Sequence, residues 1–235
     1  MTEAPNIGII LQARMRSTRL PGKILMPLGS RSLLEHILVR LRRLRHPALT
    51  VIATSDAPQD EVVAQFCAAR AVACFRGSEH NVLDRYYHCA LRYGFRHIVR
   101  LTGDNPFLDI EELGSLIDLH LAQGSDFAHS FPQLPVGCGA EIFTFAALEK
   151  SWREGAAAHH LEHVDEYMLE HPELFATALL RVNGDKHRPE VRLTIDTPED
   201  YQRACYIVEK SGKDYVSIPQ AIQLAEAYKP GSARG

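Results

Sequence analysis

Cysteine is scarce and scattered. Five residues, Cys67, Cys74, Cys89, Cys138 and Cys205, are odd in number, widely spaced and never arranged as CxxC, which argues against both a disulfide framework and a zinc site. Free thiols of this kind are expected buried or half-buried, with one of them in a loop. Long apolar runs are also missing. The longest uncharged stretch, residues 127–140, contains His, Ser, Gln, two Pro and two Gly, whereas a spanning helix needs about 20 mostly apolar residues. No membrane association is expected. The residues before Ile7 carry neither a basic segment nor a long apolar one, so the reading is a chain without a signal peptide and a cytoplasmic location. No Ser/Gly-rich, Pro-rich or like-charge run interrupts the chain, and it has no internal repeat. Disordered linkers, collagen, coiled coils and solenoids are thereby excluded.

What is present is the composition of a globular protein. The chain has 235 residues, 46% of them hydrophobic and 23% charged, enough for one substantial core, so a single domain over residues 1–235 is expected. The net charge of −3 conceals an asymmetry, because residues 1–45 hold nine Lys and Arg against two Glu, a balance of +7, and the remainder carries −10. An anion is therefore expected near the N-terminal part. Nucleic acid is not, since the pI is near 6.5 and basic residues are not interleaved with aromatic ones. A small phosphorylated ligand fits better.

Residues 7–11, IGIIL, form an apolar run too short for a buried helix, and predict a central strand buried on both faces. A loop follows to Lys23. Ser32 and Glu35 make a capping box ahead of Leu34, Ile37, Leu38, Leu41 and Leu44, which recur at helical spacing. Arg40, Arg42, Arg43 and Arg45 are expected on the solvated face of that helix. Strands at residues 49–53, 71–75 and 97–101 then alternate with helices at 58–70, 82–93 and 110–122. This specifies an α/β fold with a mainly parallel sheet and right-handed crossovers. A short strand is predicted at 126–129. From about residue 130 to 190 the order loosens into predicted strands at 140–143 and 177–182 and helices at 146–152 and 160–170, an antiparallel excursion. Thr197 with Pro198, and Ser217 with Pro219, start the last two helices.

Ligands of open α/β sheets lie beyond the carboxyl ends of the strands. After the first strand, LQARMRSTRLPGK at residues 11–23 places Arg14, Arg16, Arg19 and Lys23 with two hydroxyls and a Gly in one loop, a composition suited to wrapping a polyphosphate. Neither GxGxxG nor GxxxxGK(S/T) is present. Two or three charge-assisted hydrogen bonds of about 1.5–3 kcal/mol each suffice for micromolar nucleotide binding. Asp104 in RLTGDNP and Asp196 in RLTIDTPED each follow a predicted strand. Both can converge on one Mg2+, or each can serve only its own turn or helix start. His159, His160 and His163 cluster around Glu162 without the HExxH order, so a structural cluster is expected there rather than zinc. Tyr86, Tyr87 and Tyr93 are read as core and rim.

Five ordered segments, QARMRSTRLPGK, ATSD at residues 53–56, FRGSEHNVLDRYY at 75–87, RLTGDNP and LTIDTPED, together resemble the cytidylyltransferases that activate acidic sugars. The nearest group is that of spore coat polysaccharide biosynthesis protein F, related to the acylneuraminate and 3-deoxy-manno-octulosonate cytidylyltransferases. The resemblance spans residues 7 to about 210. It implies a Rossmann-like, mainly parallel mixed sheet flanked by helices, of the nucleotide-diphospho-sugar transferase type. It also implies attack of an acidic sugar's hydroxyl on the α-phosphorus of CTP, giving a CMP-sugar and pyrophosphate, in surface polysaccharide biosynthesis.

By the same resemblance, Arg14, Ser17, Arg19 and Lys23 hold phosphates and Gln12 and Ala13 lie near the base. Thr54, Ser55 and Asp56 help enclose that base, and Asp104 and Asp196 ligate Mg2+. Arg14, Lys23, Asp104 and Asp196 form the catalytic group, and a homodimer is implied. Arg16 stands where the family usually has a small residue, so it either adds a phosphate contact or crowds the loop. Residues 134–141, including Glu141, together with His163 of the Glu162-His163 pair, are placed on the acceptor side. Two other readings stay open: a metal-dependent glycosyltransferase of the same fold, for which a DxD triplet is lacking, and a non-catalytic nucleotide-binding homologue.

Overall fold

The structure, a computed structural model, describes residues 6–213 and 215–230. Residues 1–5, which carry most of the signal-peptide argument, lie outside the described residues. The chain begins with β1 (Ile7–Gln12), a 3-10 turn at Lys23–Leu25, the small hairpin β2 (Pro27–Leu28) and β3 (Arg31–Ser32), and α1 (Leu33–Leu41). Next come β4 (Leu49–Ser55), α2 (Glu61–Ala69), β5 (Ala73–Gly77), α3 (Val82–Tyr93), β6 (His97–Thr102) and α4 (Ile110–Gln123). The remainder is β7 (Phe127–His129), β8 (Glu141–Thr144), α5 (Phe145–Glu154), α6 (Ala158–Glu162), α7 (Glu166–Glu170), β9 (Thr177–Leu179), α8 (Pro198–Ser211) and α9 (Ile218–Ala227).

Seven strands form one sheet in the order β5-β4-β1-β6-β8-β7-β9. The first four are mutually parallel, as the strand–helix alternation predicts. β8 then runs antiparallel to both β6 and β7, and β9 returns parallel to β7. The predicted antiparallel excursion is therefore present, although its last strand is only three residues long. Among the described residues no helix is long and apolar enough to cross a membrane.

Side chains alternate across the sheet. Ile9, Leu11, Ile52 and Ile142 pack on the side of α1, α2 and α4, while Ile10, Val51, Ile98 and Phe143 pack on the side of α3, α5 and α7. A third apolar cluster, including Leu28, Phe107, Ile195, Ile207 and Ile222, seats α8 and α9. Helix starts follow the sequence signals. Ser32 and Glu35 form the expected capping box of α1, and Thr197 with Asp200 forms another ahead of Pro198. Three thiols are buried and two half-buried, all free.

Three local expectations need correction. Arg40 is not on the solvated face of α1: it is 3% exposed, donates to the carbonyls of Leu108 (3.2 Å) and Val216 (2.7 Å), and stacks over Tyr215. It lies at i+3 from Ile37, inside the apolar stripe. The helix predicted at 160–170 is two helices, because His163 takes extended backbone (φ −114°, ψ 105°) between α6 and α7. Val164 then turns into the core and Asp165 comes within 3.6 Å of Arg100. Finally, residues 192–196 form no ladder strand; only Arg192 makes a parallel bridge, to Val136.

Candidate active site

The carboxyl ends of β1 and β6 open into a cavity of about 600 Å³. Strand alternation puts Gln12, Arg100 and Thr102 on the same sheet face as Ile10 and Ile98, and all three line this cavity. The loop after β1 forms one wall, supplying Arg14, Arg16, Ser17, Arg19 and Lys23. Backbone bonds fold it back on itself: Gly22 N donates to Met15 O at 2.9 Å and Lys23 N to Leu20 O at 3.3 Å. Gly22 has φ +71°, a conformation that suits a residue without Cβ.

Lys23 is the centre of the site. It is 8% exposed, and its Nζ donates to Asp104 Oδ2 (2.8 Å), Asp196 Oδ1 (2.9 Å) and Ile195 O (2.7 Å). Residues 81 and 173 positions apart in sequence from Lys23 thus meet on one ammonium. Asp104 follows the Gly103 turn, whose N–H donates to Gln12 O at 2.8 Å. Asp196 arrives by a different route from the strand end anticipated. Leu193 N and Thr194 N both donate to Val136 O, at 2.8 and 2.9 Å, and Ile195 N donates to Asp104 O at 2.9 Å. Burial opposes the Asp196 carboxylate, but Lys23, Arg19 at 3.2 Å and Arg192 together outweigh it, and the carboxyl titrates below its usual range.

The other expected residues divide into two groups. Arg14 Nη1 donates to Glu79 O at 2.8 Å, Arg16 pairs with the Glu79 carboxylate at 3.3 Å, and Ser17 Oγ accepts from Leu20 N at 3.3 Å. Arg16 is thus largely exposed at the cavity rim, paired with Glu79. Ala13, Thr54 and Ser55 are fully buried, and neither they nor the exposed Asp56 are among the residues lining the cavity. Ser55 Oγ donates to Asp60 Oδ2, and Asp60 Oδ1 accepts from Met15 N at 2.6 Å. Ser55 of the ATSD turn thus braces the loop after β1 from behind, through Asp60.

On the far side, His163 and Glu162 line the cavity with Arg100, whereas Glu141 stands behind Arg100 at 3.0 Å. Burial pushes the Glu141 carboxyl up to about 7, an effect that Arg100 only partly offsets. His159 and His160 turn away to Glu170, at 2.8 and 2.7 Å, and form a partly exposed cluster apart from His163. Tyr86 is core, its hydroxyl donating to Ile10 O and Leu101 O; Tyr87 is also core and stacks on Trp152, and Tyr93 is half-buried. Sequence reasoning gave no role to Asp60, Glu79, Arg100 or Asp165. Glu79 had a signal, lying at a strand's carboxyl end inside FRGSEHNVLDRYY; Asp60 and Asp165 had none.

A loop of four cations facing two carboxylates suits a metal-bound polyphosphate. The cytidylyltransferase family model matches residues 8–225. The chain belongs to the cytidylyltransferase family. It is 38% identical over 225 residues to the spore coat polysaccharide biosynthesis protein SpsF of Bacillus subtilis, covering 93% of each chain. A 3-deoxy-manno-octulosonate cytidylyltransferase of Anaeromyxobacter dehalogenans is 31% identical over 114 residues, 48% of this chain and 46% of that protein. The solved structure of a cytidylyltransferase from Leptospira borgpetersenii superposes with TM-score 0.88 at 32% identity, covering 95% of this chain and 94% of that one. Membership makes the chain a nucleotidyltransferase, and its architecture is the nucleotide-diphospho-sugar transferase fold expected from the sequence.

Proposed function

We propose that the protein transfers CMP from CTP to an acidic sugar, releasing pyrophosphate, as a cytoplasmic step of surface polysaccharide synthesis. The observation that carries this reading is the meeting of Lys23, Asp104 and Asp196 beneath the cationic loop of a cytidylyltransferase fold. The half-length likeness to a 3-deoxy-manno-octulosonate cytidylyltransferase supports an acidic acceptor.

Arg14, Ser17, Arg19 and Lys23 hold the triphosphate, and Gln12, whose Oε1 is buried without a partner, lies on the base side with Ala13. Thr54, Ser55 and Asp56 help enclose the base, and Ser55 also braces the loop through Asp60. The sugar hydroxyl oxygen bonds to the α-phosphorus as the bond from that phosphorus to the bridging oxygen of the leaving pyrophosphate breaks, and the hydroxyl proton is released to water. The cations stabilise charge that builds on the leaving pyrophosphate, so positioning and electrostatics carry the rate. Two hard carboxylates already gathered around one cation fit a divalent ion; Asp104 and Asp196 would hold Mg2+, which draws charge from the phosphates. Residues 1–235 act as one domain, with the excursion at about 130–190 serving the acceptor and a homodimer. The edge strand β9, which carries exposed Leu179 and follows exposed Leu174, supports that pairing face.

Thermal stabilisation by CTP, UTP, GTP and ATP, each with and without Mg2+, tests the assignment. A ligand at 100 times its dissociation constant adds about 2.7 kcal/mol. A CTP-selective, Mg2+-dependent shift is expected, with pyrophosphate release when an acidic sugar is added. Equal shifts with all four nucleotides, or none, would overturn it.

A further inference from the structure

We propose that Arg100 is the residue that receives the acceptor's carboxylate, and so selects an acidic sugar at the end of the cavity away from the phosphate loop. The inference rests on the cytidylyl-transfer reading above and names the specificity contact within it. Arg100 and Thr102 lie two residues apart on β6, on the cavity face, about 6.6 Å from each other along the strand. The same chain direction then delivers Asp104, so one strand sets the spacing between the reacting centre and a guanidinium.

That guanidinium is held from behind. Glu141, its cross-strand partner on β8, and Asp165, at the start of α7, approach the same nitrogen, Nη1, at 3.0 and 3.6 Å. Nε is buried without a partner. The contacts of both carboxylates fall on Nη1, not on Nη2. Arg100 lines the cavity beside Glu162 and His163, whereas Glu141 and Asp165 do not, so of the three ion-paired groups it is the guanidinium that faces a ligand. A carboxylate there would meet an N–H donor already fixed in place. Only 13% of the Arg100 side chain is exposed, and a charge-assisted hydrogen bond is stronger in such a dry setting. A purely structural role explains the pair poorly, because buried ion pairs add little stability over apolar packing.

The test is Arg100→Lys, which keeps a cation for Glu141 and Asp165 but removes the second guanidinium edge. Pyrophosphate release is measured with CTP and Mg2+ against 3-deoxy-manno-octulosonate, N-acetylneuraminate, their methyl esters and neutral hexoses. For the acid that serves, the variant is expected to raise the acceptor KM about 10- to 100-fold, with the CTP KM and CTP-induced thermal shift unchanged. The preference for acid over ester should collapse. An unchanged acid-to-ester ratio, or a wild type that binds CTP and accepts only neutral sugars, overturns the proposal and leaves cytidylyl transfer standing. A wild type with no CTP shift removes both. If Arg100→Lys does not fold, the double variant Arg100→Gln/Glu141→Gln, which deletes one charge of each sign, gives the same readout.

Discussion

Lys23 Nζ lies 2.8 Å from Asp104 Oδ2, and the same atom reaches Asp196 at 2.9 Å. One ammonium therefore bridges two carboxylates that would otherwise repel each other across the cavity floor, offsetting half their charge. Lys23→Met should cost about 2 kcal/mol, less than the 3–5 kcal/mol of a fully buried pair, because the carboxylates are partly exposed to water. At this chain length that lowers the melting temperature by about 4–8 °C. The Asp196 carboxyl is depressed, so the stability it contributes is present above its usual titration range and lost as pH falls. The variant's deficit should accordingly be largest near neutral pH and shrink toward pH 3. Divalent ions alone should stabilise the variant more than the wild type, since no ammonium competes for the carboxylates. Melting curves with and without Mn2+ or Mg2+ check both points; equal metal shifts in the two proteins would mean that Lys23 and the ion do not share these ligands.

Asp104→Asn and Asp196→Asn separate metal binding from nucleotide binding. Each keeps a side chain of the same shape but halves the hard anionic donors. Turnover should fall about 100-fold or more, by analogy with the loss of one electrostatic contact at a reacting centre. CTP should still raise the melting temperature, with the Mg2+ dependence of that shift lost. Retained Mg2+ dependence in both variants would remove these two residues from the metal site.

The cationic loop along the cavity was legible because an apolar strand runs directly into Arg14, Arg16, Arg19 and Lys23 with no acid to balance them. Asp104 and Asp196 were legible as a pair able to converge on one cation, but not as partners of Lys23. Their convergence on Lys23 depends on an irregular segment that hydrogen-bonds to Val136 and Asp104, which no periodicity announces. Arg40 misled because charged residues on an amphipathic helix are usually solvated; its place at i+3 from Ile37 was the available signal against that reading. Glu141 was read on the acceptor side from its neighbours, yet its action through Arg100 needs cross-strand register. Asp165 was hidden by the break at His163, a backbone turn within an unbroken helical pattern.

Gly137 has φ +96°, and a Cβ there would stand 2.6 Å from the Thr194 amide nitrogen. Contact of the two backbones is what brings residues 193–195 against Val136 and carries Asp196 to Lys23. Gly137→Ala should therefore weaken catalysis beyond its effect on folding: a loss of about 1–3 kcal/mol from strain, with turnover falling further than CTP affinity. Comparing the melting temperature with kcat and the CTP KM decides it. Normal turnover would show that Asp196 does not depend on this contact.

Glu141 gives a pH signature with a definite sign. Desolvation raises its carboxyl from 4.5 to about 7, with Arg100 and Asp165 beside it, Tyr86 on α3 and His129 on β7 the other titratable groups facing it. The folded protein thus binds a proton there that the unfolded chain has released between those two values. Stability from this group is fully present below pH 4.5 and is lost as pH rises toward 7, by about 3 kcal/mol in all. Glu141→Gln removes the titration while keeping a hydrogen-bond acceptor for Arg100. Its melting temperature should lack the fall that the wild type shows across that window. Guanidinium unfolding at pH 5 and pH 7.5 measures the difference directly. Identical pH slopes for wild type and variant would mean that Glu141 stays ionised throughout, held by Arg100.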